Sequence, residues 1–177
     1  PTGAIVAPYS LDARLCVSYI TVEHRGAIPR PLRPLMGNRI FGCDDCQEAC
    51  PWNRFAVMTS EKTFRPVGGN LMTDLLSLVR LTSGEFKERF RDSPILRATR
   101  DGFVRNVAVA LGNSGRSEAV PALEGAVRDP SALVRMHAAW ALGRRASERS
   151  FRILREAQFM ESDPSVLEEI RLALEGA

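Results

Sequence analysis

Cys43-Asp44-Asp45-Cys46-Gln47-Glu48-Ala49-Cys50-Pro51 gathers three thiols in one short stretch and closes the last with a proline. Thiolates this close along a chain converge on a metal centre, and soft sulfur ligands select zinc or iron–sulfur. The spacing C-x2-C-x3-C-P overlaps the C-x2-C-x2-C-x3-C-P run that holds iron–sulfur clusters, with Ala49 standing where the run has its third cysteine. In two-cluster domains the cysteine before the proline reaches the other cluster, so Cys50 need not share one with Cys43 and Cys46. Cys16, the remaining cysteine of the chain, is the extra ligand for that pair.

Two other chemistries use the same residues. Tetrahedral zinc is satisfied by C-x2-C with two further cysteines, but it gains nothing from a proline after the last one. Pro1 and Pro51 both suit the cysteine–proline ends of a double-cluster fold. Disulfides belong to oxidising compartments, whereas an adjacent C-x2-C-x3-C in a chain of 177 residues points to metal or redox chemistry in the cytosol.

The residues around the cysteines predict little regular structure. Ser10 and Asp12 offer a helix start and Gly26-Ala27-Ile28-Pro29 an end, which predicts Cys16 on a short helix. Pro29, Pro31 and Pro34 make the next stretch extended or tightly turned, and Gly37 and Gly42 let the backbone wrap closely before Cys43. Metal–sulfur bonds supply the order that so small a core lacks. This segment is expected to run over 1–57, with a linker at 58–70 containing Gly68-Gly69.

From Leu71 the apolar residues Leu75, Leu78 and Val79 recur at helical spacing and open a second unit, 71–177. Val104-Arg105 through Leu111-Gly112 recurs as Val134-Arg135 through Leu142-Gly143 and, more loosely, as Val166 through Leu174, with Asp129-Pro130 and Asp163-Pro164 at helix entries. Alanines facing a neighbour and a glycine stop are how stacked helix pairs bury a continuous core. The pattern resembles a short HEAT-like α-solenoid, with Val120-Pro121-Ala122-Leu123 opening one partner helix; an ordinary helical bundle is the alternative. The expected fold class is therefore mainly α, a ferredoxin-like double-cluster segment followed by helical repeats.

The net charge is only +3, yet all but two of the 24 basic residues are arginine, whose planar fork grips phosphate in two places. Coding bias accounts for the same composition, so it permits nucleic acid without proving it. No apolar run approaches the roughly 20 residues that span a membrane.

Leu11-Asp12-Ala13-Arg14-Leu15-Cys16-Val17-Ser18-Tyr19, then Gly37-Asn38-Arg39-Ile40-Phe41-Gly42 leading into the cysteines and Pro51-Trp52-Asn53, resembles the epoxyqueuosine reductases. The resemblance continues through Arg105-Asn106-Val107-Ala108-Val109-Ala110-Leu111-Gly112-Asn113 and covers the C-terminal half of that family. Pro1-Thr2-Gly3-Ala4-Ile5 is the segment that commonly follows the final cysteine of a cluster motif, so the chain reads as beginning just after a ligand cysteine.

The resemblance implies a cytoplasmic oxidoreductase of queuosine biosynthesis, reducing epoxyqueuosine to queuosine at the wobble position of a tRNA anticodon with cobalamin and two 4Fe–4S clusters. One cluster would take the cysteine before Pro1 with Cys16, Cys43 and Cys46; Cys50 would complete the other with upstream cysteines. Cobalamin would be bound mainly by the missing N-terminal domain, with Ser18, Asp44 and Asp45 as weak contacts here. No catalytic residue is assigned in this span, which alone should be inactive. Partners would be the tRNA and an unidentified electron donor, and the protein would be a monomer.

For tRNA the candidates are Arg144 and Arg145, then Arg105 and Arg135, although repeated arginines of that kind often pair with an acidic residue of the next repeat. His137, among Met136, Ala138, Ala139 and Trp140, reads as packing, and His24 as a polar residue at a helix end. The rival function is a ferredoxin-like electron carrier fused to a HEAT-type protein-interaction module, without cobalamin or RNA.

Overall fold

In the computed structural model residues 1–64 and 74–176 are described. Gly68-Gly69 and the helix opening at Leu71 lie outside them. The chain order is β1 (Ile5–Ala7), β2 (Ser10–Leu11), α1 (Val17–Val22), α2 (Asp45–Glu48), α3 (Leu75–Leu78), α4 (Ser83–Arg89), α5 (Thr99–Asn113), α6 (Ala119–Ala126), α7 (Ala132–Arg145), α8 (Glu148–Met160) and α9 (Pro164–Glu175), with short 3-10 turns between.

The start of the chain departs from the helix predicted at Ser10 and Asp12. Ser10–Leu11 pairs antiparallel with Ile5–Ala7, Ile5 opposite Leu11, and Tyr9 turns the hairpin at φ 58°. Asp12 does cap, but its Oδ1 takes the Arg14 N–H at 2.9 Å and starts only a 3-10 turn, Ala13–Leu15. Helix α1 begins after it, so Cys16 stands at the N-cap, in extended backbone (φ −72°, ψ 121°), and not on the helix.

The repeat helices form as their pattern predicts. Asp163 accepts from the Ser165 and Val166 N–H groups, with Pro164 in the first turn of α9. At the preceding repeat the capping geometry is shifted: Ser131 is the N-cap of α7, and Asp129 accepts the Ser131 N–H at 2.9 Å. Helix α7 packs between α5 and α9, and α6 and α8 pack on α7 and on each other.

Gly112 and Gly143 are not the stops that the pattern suggests, because α5 runs on to Asn113 and α7 to Arg145. They are points of close approach. A Cβ on Gly112 would lie 2.9 Å from Ala141 and Trp140, and one on Gly143 would lie 2.7 Å from the Ala173 Cβ. The same repeat position thus seats α5 on α7 and α7 on α9.

The cysteine-bearing segment does not stand on a core of its own. Val17, Ile20, Ile28, Leu32 and Met36 belong to one apolar cluster with Phe103, Val107, Leu111 and Trp140 of the helices. Polar groups fasten the two together. Arg105, fully buried, donates to the carbonyls of Ile20 (2.9 Å), His24 (3.0 Å) and Gly26 (2.7 Å). Asn106 donates to Thr21 O (2.8 Å) and Ile40 O (2.9 Å), and Asn113 to Arg33 O (2.8 Å) and Gly37 O (2.9 Å). Leaving any one of these carbonyls unpaired inside the protein costs about 1–3 kcal/mol.

His137 adds a fastening from α7. Its Nδ1 bonds Leu133 O (2.7 Å) and its Nε2 accepts the Ile28 N–H (3.0 Å), which fixes the neutral Nδ1–H tautomer. Burial, reinforced by the positive charge of Arg33, holds its pKa well below the ordinary 6.5. The unfolded chain then takes up a proton before the folded one does, so stability is full above about 6.5 and falls as the pH drops beneath it. Urea midpoints between pH 7.5 and 5 should decline for the native chain and decline less for His137→Gln. A second pair of variants reads the helix spacing. Gly143→Ala should cost about 1–3 kcal/mol by forcing α7 off α9, whereas Gly125→Ala, in open space on α6, should gain about 0.5–1 kcal/mol from helix propensity.

Candidate metal centre

Two backbone segments bring the cysteines together, and α5 holds both. Thr21 closes α1 by donating its hydroxyl to Val17 O (2.8 Å), and the same oxygen accepts the Gly42 N–H (3.0 Å). Gly42 sits at φ 76°, a conformation that glycine adopts without penalty, and this turn aims the chain into Cys43. Asn106 bonds the carbonyls of both Thr21 and Ile40. The end of α1 and the loop before Cys43 are therefore tied to each other and to one buried amide.

Cys16, Cys43 and Cys46 line a single cavity of about 280 Å³, together with Pro1, Asp45 and Ala49. Cys43 is half-buried against the apolar core, and Cys46 is exposed on the short helix α2. Cys50 is not on that wall. It lies past the end of α2, its N–H on Gln47 O, and it opens the 3-10 turn Pro51–Phe55. None of the four cysteines is in a disulfide. Among the described residues no group of three or more His, Cys, Asp and Glu side chains closes on a single-ion site. Three thiols spaced around a cavity suit a multinuclear cluster better than a lone tetrahedral ion, whose ligands meet at one point.

The acidic candidates differ in their ties. Asp45 accepts from Arg39 Nη2 at 2.5 Å, and that bond, with a smaller contribution from the Cys43 thiol, holds its carboxyl below the usual carboxylate range. Asp44 is exposed at the head of α2 with no side-chain capping bond. Ser18 is half-buried on α1, and its carbonyl accepts the Thr21 hydroxyl at 3.2 Å.

The arginine candidates separate sharply. Arg105 has no exposed surface and is spent on backbone carbonyls, so it is withdrawn as a contact for RNA. Arg135 is held by Glu161 (2.6 and 3.0 Å) and by the carbonyls of Asp129 and Pro130, which is the inter-repeat pairing anticipated for it and leaves its fork occupied. Arg144 is exposed at the end of α7, 5.9 Å from the Trp140 ring centroid, and makes no ion pair among the described residues. Arg145 beside it is half-buried, its Nε unbonded.

Three residues that position the site carried no role on sequence grounds: Arg39, Asn106 and Asn113. The signal for Asn106 was present, since Arg105-Asn106 interrupts an otherwise apolar helix on the face that packs.

Residues 1–53 match the family model described as 4Fe-4S double cluster binding domain, and residues 94–175 the one described as HEAT repeats. The chain is 50% identical to epoxyqueuosine reductase of Xanthomonas campestris pv. campestris over 143 residues, 80% of this chain and 40% of that protein. It is 50% identical to that of Pseudomonas aeruginosa over 147 residues (81% and 40%), and 43% to that of Escherichia coli over 150 (85% and 40%). Among solved structures, an epoxyqueuosine reductase crystallised with an epoxyqueuosine-modified tRNA-Tyr stem loop superposes with a TM-score of 0.91 at 31% identity, covering 99% of this chain and 47% of that one. The Streptococcus thermophilus epoxyqueuosine reductase gives 0.77 at 25% identity. The chain spans about two-fifths of the length of the curated relatives it matches. Over that span it is similar to the epoxyqueuosine reductases in sequence and in fold.

Proposed function

We propose that this chain supplies the electron-delivering and RNA-facing portion of an epoxyqueuosine reductase, the oxidoreductase that converts epoxyqueuosine to queuosine at the wobble position of a tRNA anticodon. The carrying observation is the gathering of Cys16, Cys43 and Cys46 on one cavity with Cys50 held apart, a partition that suits two clusters and not one four-thiol site. Cys16, Cys43 and Cys46 would hold one 4Fe–4S cluster with a cysteine from the rest of the protein, and Cys50 would contribute to the second. When bound, the clusters relay single electrons and cobalamin supplies the reduction of the substrate.

The chain's own residues do the holding. Asn106 and Thr21 fix the loops that carry Cys16 and Cys43. The segment is ferredoxin-like in this reading, and the stacked helices form a short α-solenoid whose arginines meet tRNA phosphates. Arg144, exposed and without an ion pair among the described residues, is the cation offered for that contact, and Ser18 and Asp44 are the residues left free to touch cobalamin. The reaction belongs to the cytoplasm, where tRNA is modified, and no helix among the described residues is long and apolar enough to cross a membrane.

Two measurements test the proposal on the full-length protein purified without oxygen. It should hold about eight irons, bind cobalamin and reduce epoxyqueuosine in tRNA. Cys16→Ser, Cys43→Ser and Cys46→Ser should each remove the same electron paramagnetic resonance signal, and Cys50→Ser the other one. Zinc in place of iron refutes the reading, and iron without cobalamin uptake or activity favours a simple electron carrier. For the RNA, Arg144→Ala should weaken tRNA binding and lower the slope of log K against log salt by about 1. Arg135→Ala should lower stability and leave that slope unchanged.

A further inference from the structure

We infer that Arg39 is a positioning residue for electron transfer: by clamping Asp45 on the cavity wall it offsets a carboxylate charge and keeps the cluster of Cys16, Cys43 and Cys46 reducible. This rests on the cluster reading above, and it concerns a charge pair that the cysteine pattern does not reveal.

The loop geometry builds the pair. Gly37 turns at φ 59°, and the Arg39 side chain folds back so closely that a Cβ on Gly37 would lie 3.2 Å from Arg39 Nη1. Nη1 reaches Met36 O at 3.4 Å, and Nη2 reaches Asp45 Oδ1 at 2.5 Å. Arg39 and Asp45 are each about one-third exposed, at 32% and 31%, so solvent screens the pair only in part. Asp45 lines the same cavity as the three thiols.

The consequence is electrostatic. A thiolate-ligated cluster carries negative charge and gains one more unit on reduction, so a nearby carboxylate disfavours the reduced state and a nearby cation favours it. Unpaired, Asp45 would depress the potential. The Arg39 fork cancels much of that charge without blocking the cavity, which its side chain does not line. Removing the cation and removing the anion must then move the potential in opposite directions. A scaffolding role for the bond gives no such sign reversal, because both losses would simply loosen α2.

The experiment is a dithionite titration of the full-length protein, followed by electron paramagnetic resonance, for the native chain and for Arg39→Gln, Arg39→Lys, Asp45→Asn and the Arg39→Gln/Asp45→Asn double variant. Iron content is measured on each. Arg39→Gln should shift the reduction equilibrium of this cluster roughly tenfold toward the oxidised form, about 59 mV for one electron. Asp45→Asn should shift it toward the reduced form, the double variant should return close to native, and Arg39→Lys should retain most of the native value. The cluster that involves Cys50 is the internal reference and should move less. If every variant loads iron and the two single charge losses move the potential in the same direction, or leave it in place, the inference is overturned. Should Arg39→Gln fail to load, Arg39→Lys and Asp45→Asn still decide it by the sign of the Asp45→Asn shift. Absence of iron–sulfur signals from the native protein would instead bring down the cluster reading itself.

Discussion

A guanidinium buried without a carboxylate holds this structure together. Arg105 sits in the middle of α5 with no accessible surface, and burial lowers its pKa to about 10. Desolvating a charge in this way is expensive unless hydrogen bonds replace the lost water. Here the carbonyls of Ile20, His24 and Gly26 replace it, at the very point where α1 ends and the chain turns back. Those carbonyls are orphans of the helix C-terminus and the loop after it, and they need donors as much as the arginine needs acceptors. Each side of the contact satisfies the other.

The same logic runs along all three repeat helices. Three residues after the repeat's valine the chain has Val107, His137 and Glu169, each buried. Val107 packs, His137 accepts the Ile28 N–H, and Glu169 takes Arg30 and lies 3.0 Å from Arg33 Nη1 in an ion contact off the hydrogen-bond direction. Residues 20–33 thus cross α5, α7 and α9 in turn and find a polar partner on each. The looseness of the third repeat has a physical cause: its glutamate answers arginines of the cysteine-bearing segment and does not preserve the repeat's own pattern. Arg33 also stacks 5.6 Å from the Trp140 ring centroid, on the residue that Gly112 must clear.

How much of this could be read beforehand differs residue by residue. The cysteines were legible because thiol spacing is local chemistry, and the repeat helices because their apolar period is local geometry. Ser10 and Asp12 predict a helix that carries Cys16; the Asp12 cap is real, but the turn it starts is 3-10 and the α-helix begins only after Cys16. Gly112 and Gly143 carry the letters of a helix stop, and only the neighbouring helix reveals that they are there for want of a Cβ. Arg105 and Arg135 occupy equivalent repeat positions and differ entirely in fate, because α5 faces the cysteine-bearing segment whereas Arg135 faces the loop that bears Glu161. A sequence repeat specifies that two residues are equivalent within their helices, not what each helix will meet.

Positioning by a helix stack has a consequence for a redox site. A loop with little secondary structure has many conformations, and the entropy of fixing it must be met by contacts. Metal–sulfur bonds meet part of that cost only once metal is bound. Here Thr21, Asn106 and Asn113 bond the loop backbone and meet another part of that cost, and Cys16 and Cys43 face one cavity. The helices that would meet RNA and the loops that would hold the cluster are fastened to the same buried side chains. Their separation is then set by α5 and α7, whose contact is locked by Gly112 against Ala141. Electron transfer depends steeply on distance, so a rigid reference between the two faces serves the proposed reaction better than a flexible linker between independent units would.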